Sequence, residues 1–222
     1  MNSMLVLLGL IGALPALGDK KVTISVIPRT AEIWVNGVQV GKGSYELKIK
    51  DGDQALVLAR EPGFVTDVIT FFNDKAHPAP PKLYTMTLVK DPSFESSAST
   101  DIVNKDIDIQ TRRQEEEAWR LITQIVSGAF DVIEVTDMKS GYLRTAWAVN
   151  RFPPGASIRT RVIVKMGNPN PLSYKVKIVT EWAPNGTSSR DDEKWTEWDR
   201  ILRIHLNLIP EIQTRLAGGG SQ

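Results

Sequence analysis

The spacing of apolar residues changes once along the chain, and this change constrains the fold more than any other feature of the sequence. From Val22 to Val26, and again in later runs before residue 90, apolar and polar residues alternate. A period of two is typical of strands with one buried face. After Gln110 the period becomes 3.6, which is typical of an amphipathic helix. We therefore expect a β-rich first half and a second half that contains helices as well as strands.

Short turns connect the predicted strands of the first half. Asn36-Gly37 lies between two short strand-like runs, and this pair favours a hairpin because a type I′ turn needs positive φ at both central residues. A second hairpin is expected around the turn at residues 50–53. Gly41-Lys42-Gly43 leads into another strand, so it lacks the helix N-terminus that a phosphate-binding loop uses. Residues 19–90 are thus predicted to form a small all-β domain, sandwich-like or barrel-like, whose glycines serve turns.

The same stretch resembles PEGA-type domains. In that family a proline opens a turn before an alternating strand, a glycine-containing turn and a Val-Gly-Lys element follow, and a Gly-Tyr or Gly-Phe pair precedes the last strands. The matching residues here are Pro28, Ala31, Ile33, Val35, Asn36-Gly37, Val40-Gly41-Lys42 and Gly63-Phe64. The chain departs from the pattern at Arg29-Thr30 and at Gly43-Ser44. The resemblance implies a small non-catalytic β-module of bacterial surface and envelope proteins.

The first eighteen residues are apolar or uncharged throughout. The apolar run is shorter than the roughly 20 residues that span a bilayer, and the small residues Ala16 and Gly18 precede the charged Asp19. We interpret residues 1–18 as a signal peptide. The expected location is therefore outside the cytoplasm, in the periplasm or associated with the outer membrane, with no membrane-spanning segment after signal removal. Cysteine is absent from the sequence, which excludes a disulfide framework and thiolate catalysis.

The second half is predicted to be an α+β domain. Residues 91–107 are rich in Ser and Asp and are interpreted as a linker. Between residues 108 and 217 a helix is followed by four strands and by a last helix that begins near residue 195, which Pro210 ends or kinks. This order suits an antiparallel sheet with both helices on one face, and residues 218–222 are expected to be a disordered tail. The predicted fold class is thus multi-domain, all-β followed by α+β.

This half resembles the α+β domains of outer-membrane assembly lipoproteins of the BamC and LptE kind. The resemblance is carried by the first helix and by the segment FDVIEVTDMKSGYLRTAW that follows it. In that segment Gly141-Tyr142 opens the second strand and Trp147 lies within it. The resemblance implies a role in the bacterial cell envelope.

Two predicted strands at residues 158–166 and 174–182 place basic residues together. Alternate side chains of a strand point to opposite faces, and one set of each strand must face the helices. The other set gathers basic side chains on the open face, namely Arg159, Arg161, Lys165, Lys175 and Lys177, with Arg144 beside them. Because the formal net charge is only +1, this is a concentrated basic surface. It predicts a docking site for an acidic protein surface, an anionic lipid head group or a glycan phosphate, although a merely solvated sheet face is also typical of such sheets.

The tryptophans and histidines are the other candidate functional residues. Trp34 is the best candidate for an exposed aromatic that could stack on a sugar, and Trp195 is ambiguous at the first turn of the last predicted helix. The tryptophans assigned to core faces are Trp119, Trp147, Trp182 and Trp198. His205 falls in the apolar stripe of the last predicted helix, and His77 is expected to be solvated.

No serine, cysteine or metal-ligand motif accompanies His205, so we expect no enzyme activity, cofactor or metal. The weak net charge gives no general attraction to nucleic acid. The predicted function is non-enzymatic protein–protein docking or scaffolding in the bacterial envelope. A module that binds cell-wall or surface glycan through Trp34 and the basic sheet is the alternative.

Overall fold

A computed structural model describes residues 18–218 and shows a mainly β protein with several sheets and a few helices. Apart from Gly18 and Gly218, the predicted signal peptide and the predicted tail lie outside the described residues. The described chain divides into two compact units. The first comprises residues 18–62 and 66–89, and the second comprises residues 63–65 and 90–218.

The first unit consists of two sheets. Its strands are β1 (Lys20–Ile27), β2 (Glu32–Val35), β3 (Val38–Lys42), β4 (Ser44–Ile49), β5 (Gln54–Arg60), β6 (Asp67–Phe72) and β7 (Leu83–Thr87). One sheet has the order β4-β1-β7 and the other the order β3-β2-β5-β6. The alternation predicted for β1 buries Val22, Ile24 and Val26 completely. Phe71 of one sheet contacts Tyr84 of the other edge-on, with ring centroids 5.3 Å apart.

One of the two predicted hairpins is confirmed and the other is wrong. Asn36 and Gly37 have φ values of 49° and 82° and join β2 to β3 as a hairpin. The turn at residues 50–53 instead joins different sheets, because β4 pairs with β1 while β5 pairs with β2 and β6. A tight turn between two half-buried strands suits a hairpin and a crossover between sheets equally well, so the local sequence does not distinguish them.

Of the two glycines at residues 41–43, Gly43 serves a turn, as expected, whereas Gly41 lies within β3. Gly43 has a φ of 68°, and a Cβ at this position would collide with the carbonyl oxygen of Arg29. Its N–H donates to the carbonyl of Ala31. Since β4 begins at the next residue, the backbone here holds strands together and presents no helix end to a phosphate.

The second unit is built around one large antiparallel sheet. Its elements are α1 (Pro92–Glu95), β8 (Ser97–Ser99), β9 (Ile107–Gln110), α2 (Glu115–Ala129), β10 (Ile133–Asp137), β11 (Tyr142–Thr145), β12 (Ala148–Arg151), β13 (Ser157–Pro169), β14 (Leu172–Ala183), β15 (Thr196–Glu197), β16 (Arg200–Leu202) and α3 (Leu208–Ala217). The sheet runs β10-β11-β13-β14-β15, with β12 also paired to β13 and β9 to β14. Strands β8 and β16 form a separate two-stranded pair.

The inner face of this sheet and helices α2 and α3 form the core of the second unit. Val162 and Val164 of β13 and Val176 of β14 are fully buried in one apolar cluster with Ile122 of α2 and Ile212 of α3. Strand alternation therefore directs the residues between them to the opposite face of the sheet. Within residues 18–218, every helix is too short or too polar to cross a membrane.

The predicted helix that begins near residue 195 is corrected. The structure has the short strands β15 and β16, a 3₁₀ turn at Arg203–His205, and helix α3, which begins only at Leu208. Pro210 neither ends nor kinks this helix. It lies in the first turn, where the missing N–H removes no intrahelical hydrogen bond. Buried residues of a strand, a turn and a helix fall here at spacings that imitate one helical stripe.

The predicted linker at residues 91–107 is also corrected, because much of it is folded. Asp91 caps α1 by accepting a hydrogen bond from the N–H of Ser93. Ser97 is fully buried, and its strand β8 pairs with β16. Val103 is buried in the core of the second unit. The short polar residues that suggested a solvated linker serve here as a helix cap and as buried hydrogen-bonding groups.

Candidate functional site

The outer face of the large sheet, opposite α2 and α3, carries most of the basic residues predicted from the sequence. In the strand register, Ile163 of β13 lies between Arg144 of β11 and Lys177 of β14. Lys165 lies between Tyr142 and Lys175 in the next row. We call the following outward residues the basic face: Tyr142, Arg144, Arg161, Ile163, Lys165, Lys175, Lys177 and Val179. All of them are at least partly exposed.

Acidic side chains neutralise only part of the basic face. Arg144 Nε is 3.0 Å from Glu134 Oε2, and Lys175 Nζ is 3.9 Å from Asp108 Oδ1. Such exposed pairs contribute little to stability. The other three cations of the face, Arg161, Lys165 and Lys177, form no ion pair with any residue between 18 and 218. The face therefore keeps a local positive charge that the formal net charge of +1 conceals.

Arg159 does not belong to this exposed face, which corrects its predicted role as a binding residue. Its side chain is 4% exposed. The guanidinium donates to Glu181 Oε2 and to Asp192 Oδ1, both at 2.6 Å, and to the carbonyl of Ser189 at 3.1 Å. The connection between β14 and β15 folds back over this end of the sheet. Arg159 is thus a structural residue, because its donors are occupied within the unit.

Trp147 was predicted to lie in the core, and this is wrong: it is partly exposed and lies beside the basic face. The Cζ atoms of Arg159 and Arg161 lie 4.3 Å and 4.1 Å from the centroid of its ring. Arg159 also lies 4.7 Å from the ring of Trp195, which is buried after a 3₁₀ turn at Asp192–Lys194. We call these four side chains the tryptophan–arginine stack. Cation–π contacts of this kind contribute about 0.5–2 kcal/mol each, depending on desolvation.

Of the other three tryptophans assigned to the core, Trp119 is buried and the other two are at least partly exposed. Trp119 is buried in the apolar cluster of the second unit. Trp182 is 39% exposed because it lies at the end of β14, and Trp198 is half-buried between β15 and β16. The alternation along β14 thus predicted correctly which face of the sheet Trp182 occupies. It could not predict that the core does not extend to this end of the strand.

His205 is a buried packing residue in the 3₁₀ turn before α3. Its ring stacks on Phe130, with centroids 4.8 Å apart and planes inclined by 12°. Neither ring nitrogen has a hydrogen-bond partner among the described residues, and burial lowers the pKa of His205 below its ordinary value. A general base needs a polar partner within hydrogen-bond reach. Nor do residues 18–218 contain a group of three or more His, Cys, Asp or Glu residues placed to hold a metal ion.

Trp34 lies in the first unit, partly exposed on β2. Its indole N–H donates to Glu32 at 3.2 Å, and the guanidinium of Arg60 stacks 4.2 Å from the ring centroid. The register places Leu58 beside Trp34 and Val68 beside Leu58, so an apolar row crosses three strands. One face of the indole is therefore covered by a cation and is not free to stack on a sugar.

An open groove of about 640 Å³ lies beside this row, where Glu32 is paired in register with Lys42 and Arg60. Glu32, Lys42 and Arg60 line it; Glu32 accepts from Arg60 at 3.1 Å and also pairs with Lys42 at 3.8 Å. The Arg60 hydrogen bond is the main reason why the pKa of Glu32 lies below its ordinary value. Most residues that line the groove are polar or charged, and the two carboxylates, Glu32 and Glu61, balance the two cations in number.

Sequence reasoning missed the apolar members of the basic face and the stack beside it. The alternation that predicted Lys165 also directs Ile163 outward, so that signal was present. The stack had no local signal, because Trp147, Arg159 and Trp195 come from separate elements.

No protein-family model, no curated protein and no solved structure matches this chain. The resemblances to PEGA-type domains and to outer-membrane assembly lipoproteins stay predictions.

Proposed function

We propose that this protein is a non-enzymatic docking or scaffolding module of the bacterial cell envelope, exported from the cytoplasm, and that its basic face binds an acidic surface of a protein partner. The observation that carries the proposal is the composition of the basic face. Cations surround the outward aliphatic side chains of Ile163 and Val179 on a sheet face that the two helices leave open.

This composition supports protein docking more than catalysis. Protein interfaces combine an apolar centre with a polar, charged rim, and complementary charge accelerates encounter and selects partners. Three cations of the face have no ion pair within the described residues, so they can pair with an incoming carboxylate without breaking an existing contact. His205, the one buried histidine, lacks the partners that acid–base chemistry requires.

The alternative is glycan binding by the first unit. The polar groove beside Glu32 and the partly exposed Trp34 favour it, whereas the stacked Arg60 disfavours it. Replacing Trp34 by Ala and measuring retention on insoluble peptidoglycan separates the two functions. Loss of retention in this variant, while it still binds an acidic poly-L-glutamate peptide like the natural chain, would support the glycan function.

The docking proposal is tested by charge reversal on the basic face. The variant carries Lys165→Glu, Lys175→Glu and Lys177→Glu, and the probe is a fluorescent poly-L-glutamate peptide of about twenty residues, measured by anisotropy. We expect binding to the natural chain that weakens with added salt, because surface charges are screened beyond about 8 Å at physiological ionic strength. The variant should lose this binding and keep its circular dichroism spectrum, since outward side chains support no core.

The matched control reverses three exposed lysines of the first unit, Lys50, Lys75 and Lys82. It changes the net charge by the same amount and should bind the probe with nearly natural affinity. If both variants lost probe binding equally, net charge alone would explain the effect. Unchanged binding in the basic-face variant would refute the docking site.

A further inference from the structure

Arg161 differs from its neighbours Arg144 and Arg159 in that no carboxylate pairs with its guanidinium. Its guanidinium makes no hydrogen bond and no ion pair with any residue between 18 and 218, although the residue is partly buried and its Nε is completely covered. Removing a cation from water without a hydrogen-bonding partner is unfavourable. Burial and the nearby charge of Arg144 both lower the pKa of Arg161 from its ordinary value. The free protein thus holds this guanidinium in an unfavourable environment.

The carboxylates around Arg161 are committed elsewhere. Glu134 pairs with Arg144, while Glu181 and Asp192 both pair with Arg159. Arg159 therefore takes two carboxylates and Arg161 takes none. Glu181 and Glu134 still favour the charge of Arg161 at longer range, but neither supplies it with a hydrogen bond.

Trp147 fixes the position of the unpaired guanidinium. Its ring centroid lies 4.1 Å from Arg161 Cζ, a stacking distance that restrains the planar group. With Nε covered, the two terminal Nη groups form the accessible edge, and neither donates to a described residue. A planar pair of N–H donors matches the two oxygens of a carboxylate. Because the donor is already held in place, less conformational freedom is lost on binding.

We propose that Arg161, held against Trp147, is the anchor that binds an aspartate or glutamate carboxylate of the protein partner through its two Nη groups. The inference rests on the proposed function, since it names the residue at which the acidic partner is recognised. One guanidinium edge suits a carboxylate better than a phosphate dianion, which has more oxygens to satisfy and more charge to desolvate. Lys165 and Lys177 then attract the acidic partner at long range, while Arg161 fixes the orientation of the bound carboxylate.

The test compares Arg161→Gln and Arg161→Lys with Arg151→Gln, using the same poly-L-glutamate probe. Arg151 is exposed, points to the same side of the sheet from β12, and loses the same charge. We expect Kd to rise about tenfold for Arg161→Gln, in line with hydrogen bonds to charged groups. Arg161→Lys should lose nearly as much although it keeps the charge, because an ammonium group cannot bind both oxygens in the plane of the ring. Arg151→Gln should change Kd less than twofold.

A second measurement observes the contact itself. The side-chain guanidinium signals of Arg161 in ¹⁵N NMR spectra should shift on addition of poly-L-glutamate and stay unchanged with poly-L-glutamine. Arg161 variants that bind like Arg151→Gln, while the triple lysine reversal still weakens binding, would overturn the anchor and leave the docking function standing. If the triple reversal also had no effect, both proposals would fail. Displacement of the peptide by inorganic phosphate at much lower concentration than by acetate would overturn the choice of a carboxylate.

Discussion

His205 places an imidazole in the second unit's interior with no hydrogen-bond partner among the described residues. Burial lowers its pKa in the folded state, whereas the unfolded chain binds a proton with the ordinary pKa of about 6.5. Protonation therefore favours unfolding. The stability is complete above the unfolded pKa and is lost as the pH falls below about 6.5, with a slope of up to about 1.4 kcal/mol per pH unit.

We expect urea denaturation to show this loss between pH 7 and pH 5, and we expect His205→Phe to abolish most of the slope. His77, the other histidine, is exposed and bonded to Asp74, so His77→Gln is the control and should keep the slope. An identical slope in the natural chain and in His205→Phe would contradict this account.

The side chain of Arg159 is a buried structural cation. Replacing it by Met removes hydrogen bonds to two carboxylates and leaves the largely buried Glu181 unpaired, so the free energy of unfolding should fall by about 2 kcal/mol. Arg151→Met, an exposed change, should alter it by less than about 0.5 kcal/mol. Denaturation measured by circular dichroism checks both values. If the Arg159→Met variant were stable but bound the acidic peptide poorly, Arg159 would be a binding residue and not a structural one.

At the scale of elements, the segment 92–99 depends on contacts distant in sequence. The guanidinium of Arg200 donates to the carbonyls of Phe94 and Ser97 and to the Ser97 hydroxyl. Its Cζ lies 3.6 Å from the ring centroid of Phe94. We therefore expect Arg200→Ala to release α1 and β8 locally.

Limited proteolysis followed by mass spectrometry measures this release. The natural chain should resist cleavage within residues 92–99, and Arg200→Ala should be cut there first. Arg190→Ala, an exposed change in the connection before β15, should leave the pattern unchanged. Early cleavage of the natural chain in this segment would support the linker that was predicted from the sequence at residues 91–107.

The elements show why some predictions succeeded. The two-residue alternation of β13 correctly separated buried Val162 and Val164 from outward Lys165, because a strand fixes side-chain direction locally. The burial of Arg159 could not be predicted in this way, since it requires Trp147 and Asp192 from other elements. The last helix was predicted too long for the opposite reason: apolar residues of several short elements share one core and imitate a single period.

For the whole molecule, the formal net charge is close to zero. The positions of the charges, and not their sum, should therefore decide whether an acidic peptide binds. Three Lys→Glu changes convert the formal charge from +1 to −5 wherever they are made. If the basic face acts as proposed, reversal at Lys50, Lys75 and Lys82 keeps most of the salt dependence of peptide binding, because those charges lie on the other unit. Reversal on the basic face removes the salt dependence together with the binding. Titration of anisotropy against sodium chloride concentration compares the two variants.

The contact between Trp147 and Arg161 also makes the indole an internal optical reporter. Indole emission responds to the electric field across the ring, and a carboxylate that binds Arg161 neutralises the uncompensated charge beside the ring. Subtracting the spectrum of a Trp147→Phe variant isolates this one emitter from the other tryptophans. An emission shift that saturates with added acidic peptide would then report occupancy of the face in unlabelled protein.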